Sequence, residues 1–270
     1  MGFRDWLEKI RKPNAPVSLP DLTGTQKMFL RWNAERLNLT PEESERRYIA
    51  SWGAVKGGHA GIGFREFNVS AHELFRVFFN DSEAEIYDAY RFYGPLHMLR
   101  MLSYPEPVWS AKDLVVKKLL ASPKADILDY GCGLAQRSRS LAGFLRENGI
   151  EVRLFLADIP TLRKDFLLWL GEKTGIPTTF LECTAAMPIP ELPACDVCFA
   201  LDFFEHVHNP VENFNRIHQA LRPGGLLEAD LEDHENEFMH VSPRLGVLRA
   251  RIRELGYEEP ISGVFRRTPP

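Results

Sequence analysis

The stretch Ile127-Leu128-Asp129-Tyr130-Gly131-Cys132-Gly133-Leu134-Ala135 constrains the fold more than any other part of the chain. It reads as a short apolar strand over 125–128, an acidic residue, a tight turn with two glycines, and a helix over about 134–148. Glycine has no Cβ, so such a turn lets backbone N–H groups and a helix N-terminus approach a ligand closely. The unit reads as a ligand cradle. A Gly-x-Gly turn also occurs as a plain tight turn, so the surrounding pattern must decide between the two.

From residue 125 onward strands alternate with helices, the signature of a parallel sheet. Further strands are expected at 151–157, 178–181, 196–201, 226–229 and 261–266, with helices at 161–173, 211–221 and 243–255. Arg222-Pro223-Gly224-Gly225 reads as a turn. Residues 1–122 carry helix signals instead. Capping boxes start at Thr40, Ser70 and Ser82, and further helices are expected at 25–37, with Met28, Phe29, Trp32 and Leu37 on one side, and at 110–121. The glycine-rich run 57–63 is read as a loop or hairpin, because no strand feeds it. Aromatic residues crowd positions 64–93, enough for a core and for a lid over an apolar acceptor. The chain is therefore divided into a helical lid or acceptor-binding region, 1–122, and an α/β domain, 123–270.

The net charge of −4 and a pI near 6.1 give no electrostatic case for nucleic acid or an anionic membrane surface. No apolar run approaches the roughly 20 residues that span a bilayer. Cys132, Cys183, Cys195 and Cys198 are few, and no secretory leader is recognised, so a reducing, cytoplasmic setting is expected. Cys195-Asp-Val-Cys198 is read as part of a core strand rather than a metal or redox pair. A small-molecule substrate fits this composition; it leaves the oligomeric state open.

A dinucleotide fingerprint wants a third glycine three residues after the second, and position 136 is Gln136. Asp129, two positions before Gly131, would repel a pyrophosphate and attract an ammonium. Asp158, closing the next strand, is placed to accept hydrogen bonds from ribose hydroxyls. With these residues in hand, the chain resembles the class I S-adenosylmethionine-dependent methyltransferases over about 123–268. The first motif is Ile127 to Gly133, the acidic residue after the second strand is Asp158, and the segment Asp196 to Val207 matches the surroundings of the fourth strand. Leu221-Arg222-Pro223-Gly224-Gly225 and Leu255-Gly256-Tyr257 are similar to later family motifs.

The resemblance implies a Rossmann-like, seven-stranded, mostly parallel sheet with flanking helices and one late antiparallel strand, following the N-terminal helical region. It implies S-adenosylmethionine as cofactor, with Asp129, Gly131, Cys132 and Gly133 at its methionine part, and Asp158 and Ile159 at its ribose. Leu201, Asp202 and Phe203 would lie near the sulfonium. Two positions depart from the family pattern: Ala135 stands where a third glycine is common, and Cys183 where an acid often meets the adenine. The backbone around Thr184 and Ala185 is expected to take that contact.

Methyl transfer from a sulfonium is an in-line displacement, so positioning and removal of a proton are the protein's tasks. His206, His234 and His240 are the candidate catalytic bases, with His208 and Asp233 nearby. Tyr87, Tyr90, Arg91, Tyr93 and His97 are candidates for the acceptor side. The acidic run 230–240 lacks a defined ligand spacing, so no metal is expected from it. A non-catalytic cofactor-binding or interaction protein of the same fold, or another adenosyl-cofactor transferase, are the alternatives.

Overall fold

A computed structural model describes residues 22–56, 85, 87–91, 98, 101–102, 104–233 and 240–269. The chain divides into two compact units, residues 1–80 with 102–105, and residues 81–101 with 106–270. The second takes in residues 81–101 and 106–122 beside the expected 123–270.

In the first unit, helices α1 (Gly24–Leu37) and α2 (Pro41–Lys56) pack together. Helix α1 starts one residue earlier than the periodicity suggests. Thr23 caps it by accepting from the Gln26 N–H at 3.1 Å, while the Gln26 side chain accepts from the Thr23 N–H at 2.8 Å. Asn38, left-handed at φ 51°, ends it. Phe29 and Trp32 are buried and Phe29 meets Tyr48, but Leu37, expected on the same side, is 39% exposed.

The second unit runs α3 (Leu114–Leu120), β1 (Lys124–Tyr130), α4 (Gln136–Glu147), β2 (Glu151–Asp158), α5 (Leu162–Thr174), β3 (Thr178–Glu182), β4 (Cys195–Ala200), α6 (Pro210–Ala220), β5 (Leu221–Ala229), α7 (Gly246–Glu254), β6 (Tyr257–Ile261) and β7 (Val264–Arg267). The seven strands form one sheet in the order β3-β2-β1-β4-β5-β7-β6. All neighbours are parallel except β7, which is antiparallel to both β5 and β6.

Neighbouring residues on each strand point to opposite faces. Ile127, Val197, Leu226 and Val264 therefore bury against α3 and α4, whereas Leu128, Cys198, Leu227 and Phe265 bury against α6 and α7. Both faces of β1 are covered from Ala125 to Tyr130, as in a central parallel strand. Two expectations change. Arg222 to Gly225 lies within β5, where a register shift between Cys195 and Val197 takes up the irregularity. The single final strand is a hairpin, β6 and β7, turned at Gly263 with φ 74°.

The order reverses between β1 and β4, which makes the carboxyl ends of β1, β2 and β4 the switch point of the sheet. That is where ligands bind in open α/β sheets.

Candidate functional site

The loop after β1 is built by strand geometry. The Gly131 and Cys132 N–H groups both donate to the Ala157 carbonyl, at 2.8 and 3.3 Å, which folds the loop over the end of β2. Gly131 and Gly133 are left-handed at φ 72° and 52°. A Cβ on Gly131 would stand 2.6 Å from Phe203 Cδ2, and one on Gly133 would stand 2.7 Å from Met101 Cε. Ala135 holds the same left-handed backbone at φ 51°, so this departure from the family pattern changes the side chain and keeps the turn.

Asp158 locks the loop. Its carboxylate accepts from the Gly133 N–H at 2.7 Å and from the Ile159 N–H at 2.6 Å. The buried Arg163 reaches it at 3.4 Å from the first turn of α5. Sequence reading passed over Arg163. The signal was present: a cation in the first turn of a helix opposes the helix dipole unless an acid stands nearby.

Asp129 turns away from the loop surface. Its carboxylate accepts from the Ser138 hydroxyl on α4, and burial, then the charge of Asp158, push it up to about 7 against the pull of that hydrogen bond. Gln136, at the start of α4, donates to the Met101 carbonyl at 3.1 Å. The thiol of Cys132 is pushed up by burial, so this cysteine is a packing residue and no nucleophile.

At the end of β4, Phe203 stacks on Tyr130 with ring centroids 4.4 Å apart. Asp202 is exposed and left-handed at φ 46°, a conformation Asp tolerates better than most residues. Leu201 is half-buried beside it. After β3, the Thr184 N–H donates to the Met187 carbonyl at 3.1 Å and the Met187 N–H to the Thr184 carbonyl at 2.9 Å. This small loop leaves Ala185 exposed next to the end of β2 and β3.

Beyond β4 a single 3₁₀ turn, Phe204–His206, carries Glu205 and His206. The Ser242 N–H donates to the Glu205 carbonyl at 2.9 Å, and the Ser242 hydroxyl to the Val207 carbonyl at 2.7 Å. These bonds dock the segment after β5 on the turn and bring the His240 ring edge-on to His206, centroids 4.5 Å apart. Tyr90 meets His206 from the other side, at 6.3 Å. Burial first, then the charge of Asp158, raise the Tyr90 hydroxyl; Glu205 and Asp202 add to it. One tyrosine thus feels both the Asp158 carboxylate and the turn after β4.

The other candidates separate from this group. Tyr87 is packed into the core with Tyr130, and Arg91 is exposed and paired with Asp88 at 3.4 Å. Asp233 is engaged by both arms of Arg249 and by the Leu245 N–H, which hold it down at about 2, so it cannot serve as a base near neutrality. Tyr93, His97 and His234 lie outside the described residues, as do the glycine-rich run 57–63 and the capping boxes at Ser70 and Ser82.

Residues 128–229 match the family model of a methyltransferase domain. Among solved structures, the chain is similar to the [4+2]-cyclase SpnF at 17% identity, covering 66% of this chain and 73% of that one, with a TM-score of 0.46. It is also similar to a SAM-dependent methyltransferase from Aquifex aeolicus, at 15% identity, 53% and 81% coverage and a TM-score of 0.41. For phosphoethanolamine N-methyltransferase 2 of Haemonchus contortus in complex with S-adenosyl-L-methionine the values are 20%, 50%, 34% and 0.40. No curated protein matches the sequence.

Proposed function

Residues 128–229 match the family model of a methyltransferase domain, and from that premise we propose that the protein transfers the methyl group of S-adenosylmethionine to a small-molecule acceptor beside Tyr90, His206 and His240. The observation that carries this reading is the set of neighbours beyond the carboxyl ends of the strands. Two left-handed glycines follow β1, Asp158 at the end of β2 accepts from the Gly133 N–H, and beyond β4 Tyr90 and His240 each lie against the His206 ring.

The residues present fit the cofactor. A side chain on Gly131 would collide with Phe203, one on Gly133 would have to displace Met101, and both positions are left-handed, so the loop favours glycine at each. When bound, the sulfonium supplies an electrophilic methyl group. Gly131, Cys132 and Gly133 would hold the methionine part with backbone groups, and Asp129, below them, would favour its ammonium in its ionised form. Asp158 and Ile159 would hold the ribose, and Thr184 and Ala185 the adenine. Leu201, Asp202 and Phe203 would flank the sulfonium and exclude water from it.

On the acceptor side, His206 and His240 would engage the acceptor group that loses its proton, and Tyr90 would close the site against the cofactor. Of the lid expected over residues 1–122, this reading keeps the part that shares a compact unit with the sheet, residues 87–91.

Calorimetry with S-adenosylmethionine and S-adenosylhomocysteine tests the cofactor half. Binding is expected in the wild type, and Asp158→Ala is expected to weaken it by more than about tenfold, since a buried charge-assisted contact is worth roughly 1.5–3 kcal/mol. No binding at millimolar cofactor would sink the reading. S-adenosylhomocysteine release over a panel of hydroxylated and aminated small molecules tests the acceptor half.

A further inference from the structure

The turn after β4 and the segment after β5 bring together a set of donors that neither possesses alone. Glu205, His206 and His240 each offer one ligand atom, and the three atoms lie within 4.8 Å of one another. Donors on a transition metal sit about 2.0–2.2 Å from the ion, so two donors on one ion stand at most about 4.4 Å apart. With every pair within 4.8 Å, at most a few tenths of an ångström separate the donors from that limit, within reach of a small side-chain torsion.

We propose that Glu205, His206 and His240 bind a divalent transition-metal cation that holds and acidifies the hydroxyl group of the methyl acceptor. The proposal rests on the methyltransferase reading for the acceptor's role; the ion site itself rests on geometry.

Four features support it. Two imidazoles and one carboxylate suit Zn²⁺, Fe²⁺, Co²⁺ or Mn²⁺ and leave positions open for acceptor oxygens. Glu205 is 2% exposed and the histidines half-buried, so the ion would be partly sheltered and still reachable from solvent. The donor segments are held together before any ion arrives: Ser242 ties the His240 segment to the Glu205 and Val207 carbonyls, and the His206 and His240 rings stand edge-on with centroids 4.5 Å apart. Finally, Tyr90 stands edge-on to the His206 ring with centroids 6.3 Å apart, so an aromatic side chain already borders the donor set.

Among the described residues of the acidic run 230–240, His240, at its end, is the one that belongs to the set. Its partners come from the turn after another strand.

The ion specifies the acceptor class. A metal lowers the pKa of a bound hydroxyl toward neutrality, as it does for water. The acceptor O–H gives its proton to solvent, and the oxygen lone pair forms the O–CH₃ bond as the S–CH₃ bond breaks. The bonding pair stays on sulfur, the sulfonium becomes a thioether, and the proton is the other product. The acceptor is therefore an alcohol or phenol, and a neighbouring oxygen that fills a second open position would improve it.

The test titrates the full-length protein, stripped with a chelator, with Co²⁺ and follows the visible d–d absorption. About one ion per chain is expected, with His240→Ala and His206→Ala each weakening binding by more than about tenfold. S-adenosylhomocysteine calorimetry on the same variants reports folding, because His240→Ala is expected to leave cofactor binding intact. No stoichiometric Co²⁺ binding in the wild type overturns the site. So does binding that both variants leave unchanged, since the ion would then sit elsewhere. Ion binding that follows the variants in a protein that does not bind S-adenosylhomocysteine supports the site and refutes the cofactor reading instead.

Discussion

Gly131 and Gly133 share a left-handed backbone, yet their neighbours make them unequal. A methyl on Gly131 would press at 2.6 Å on a Phe203 ring that is stacked on the fully buried Tyr130 and packed edge-on against Phe204. None of those rings has room to yield, so the strain adds to the left-handed penalty. A methyl on Gly133 would meet the terminal carbon of Met101, which three side-chain torsions can swing aside. Gly131→Ala is expected to cost about 2–4 kcal/mol and Gly133→Ala about 1–2 kcal/mol, read from urea unfolding midpoints. An equal or reversed order would show that Phe203 is less firmly held than its stacking implies. This loop was legible from residues alone, because glycine positions report backbone geometry. The acid Asp129 was legible as well, but not its orientation: Ser138, the hydroxyl that turns it toward α4, looks like any helix serine until the helix is packed.

At the level of strands, a charged network closes the amino-terminal edge of the sheet. The Asp126 carboxylate on β1 accepts from Arg153 on β2 at 2.7 and 2.8 Å and from Arg222 on β5 at 2.6 Å. Arg222 also reaches Asp196 on β4 at 2.9 Å, and Asp196 accepts from the Asp126 N–H at 2.8 Å. Burial works against the Asp126 charge, but the two arginines prevail and hold the carboxyl below its ordinary value. Arg222 bridges two acids on two strands whereas Arg153 serves one. Arg222→Ala is therefore expected to cost more than Arg153→Ala, with both losses small because both arginines are well exposed and water screens them. Equal losses in a thermal unfolding series would remove the bridging argument. This network also explains one misread element. Pro223-Gly224-Gly225 signals a turn, but Arg222 pins its own residue to β1 and β4 and draws the segment into β5. The hairpin β6 and β7 was missed for a related reason: Pro260 argues against a strand, and it is tolerated because β6 is an edge strand with a register shift between Glu258 and Ile261.

For the whole molecule, the central strand sets how stability depends on pH. The sheet order and the crevice followed from the alternation of strands and helices, whereas the convergence of Glu205, His206 and His240 required two loops far apart in sequence to dock, which no local pattern records. The position of Asp129 is a consequence of the same architecture. It lies on β1, covered on both faces, and its carboxyl is pushed from an ordinary 3.8 up to about 7. Between those values the folded chain keeps a proton that the unfolded chain releases, so unfolding becomes easier as pH rises. The stabilisation is complete below about pH 4 and is lost as pH climbs through about 7. Asp126 and Asp233 act in the opposite sense, since each is held below its ordinary value and loses its contribution only as acid protonates it. Urea midpoints of the wild type are therefore expected to fall between about pH 5 and pH 8, while Asp129→Asn, neutral throughout, flattens that fall and keeps the acid limb set by Asp126 and Asp233. Ser138→Ala removes the hydroxyl that favours the charged form and is expected to move the fall to higher pH. Wild type and Asp129→Asn running parallel from pH 5 to 8 would mean that Asp129 is already ionised in the folded chain, and that the crevice holds a full negative charge beneath its glycine loop.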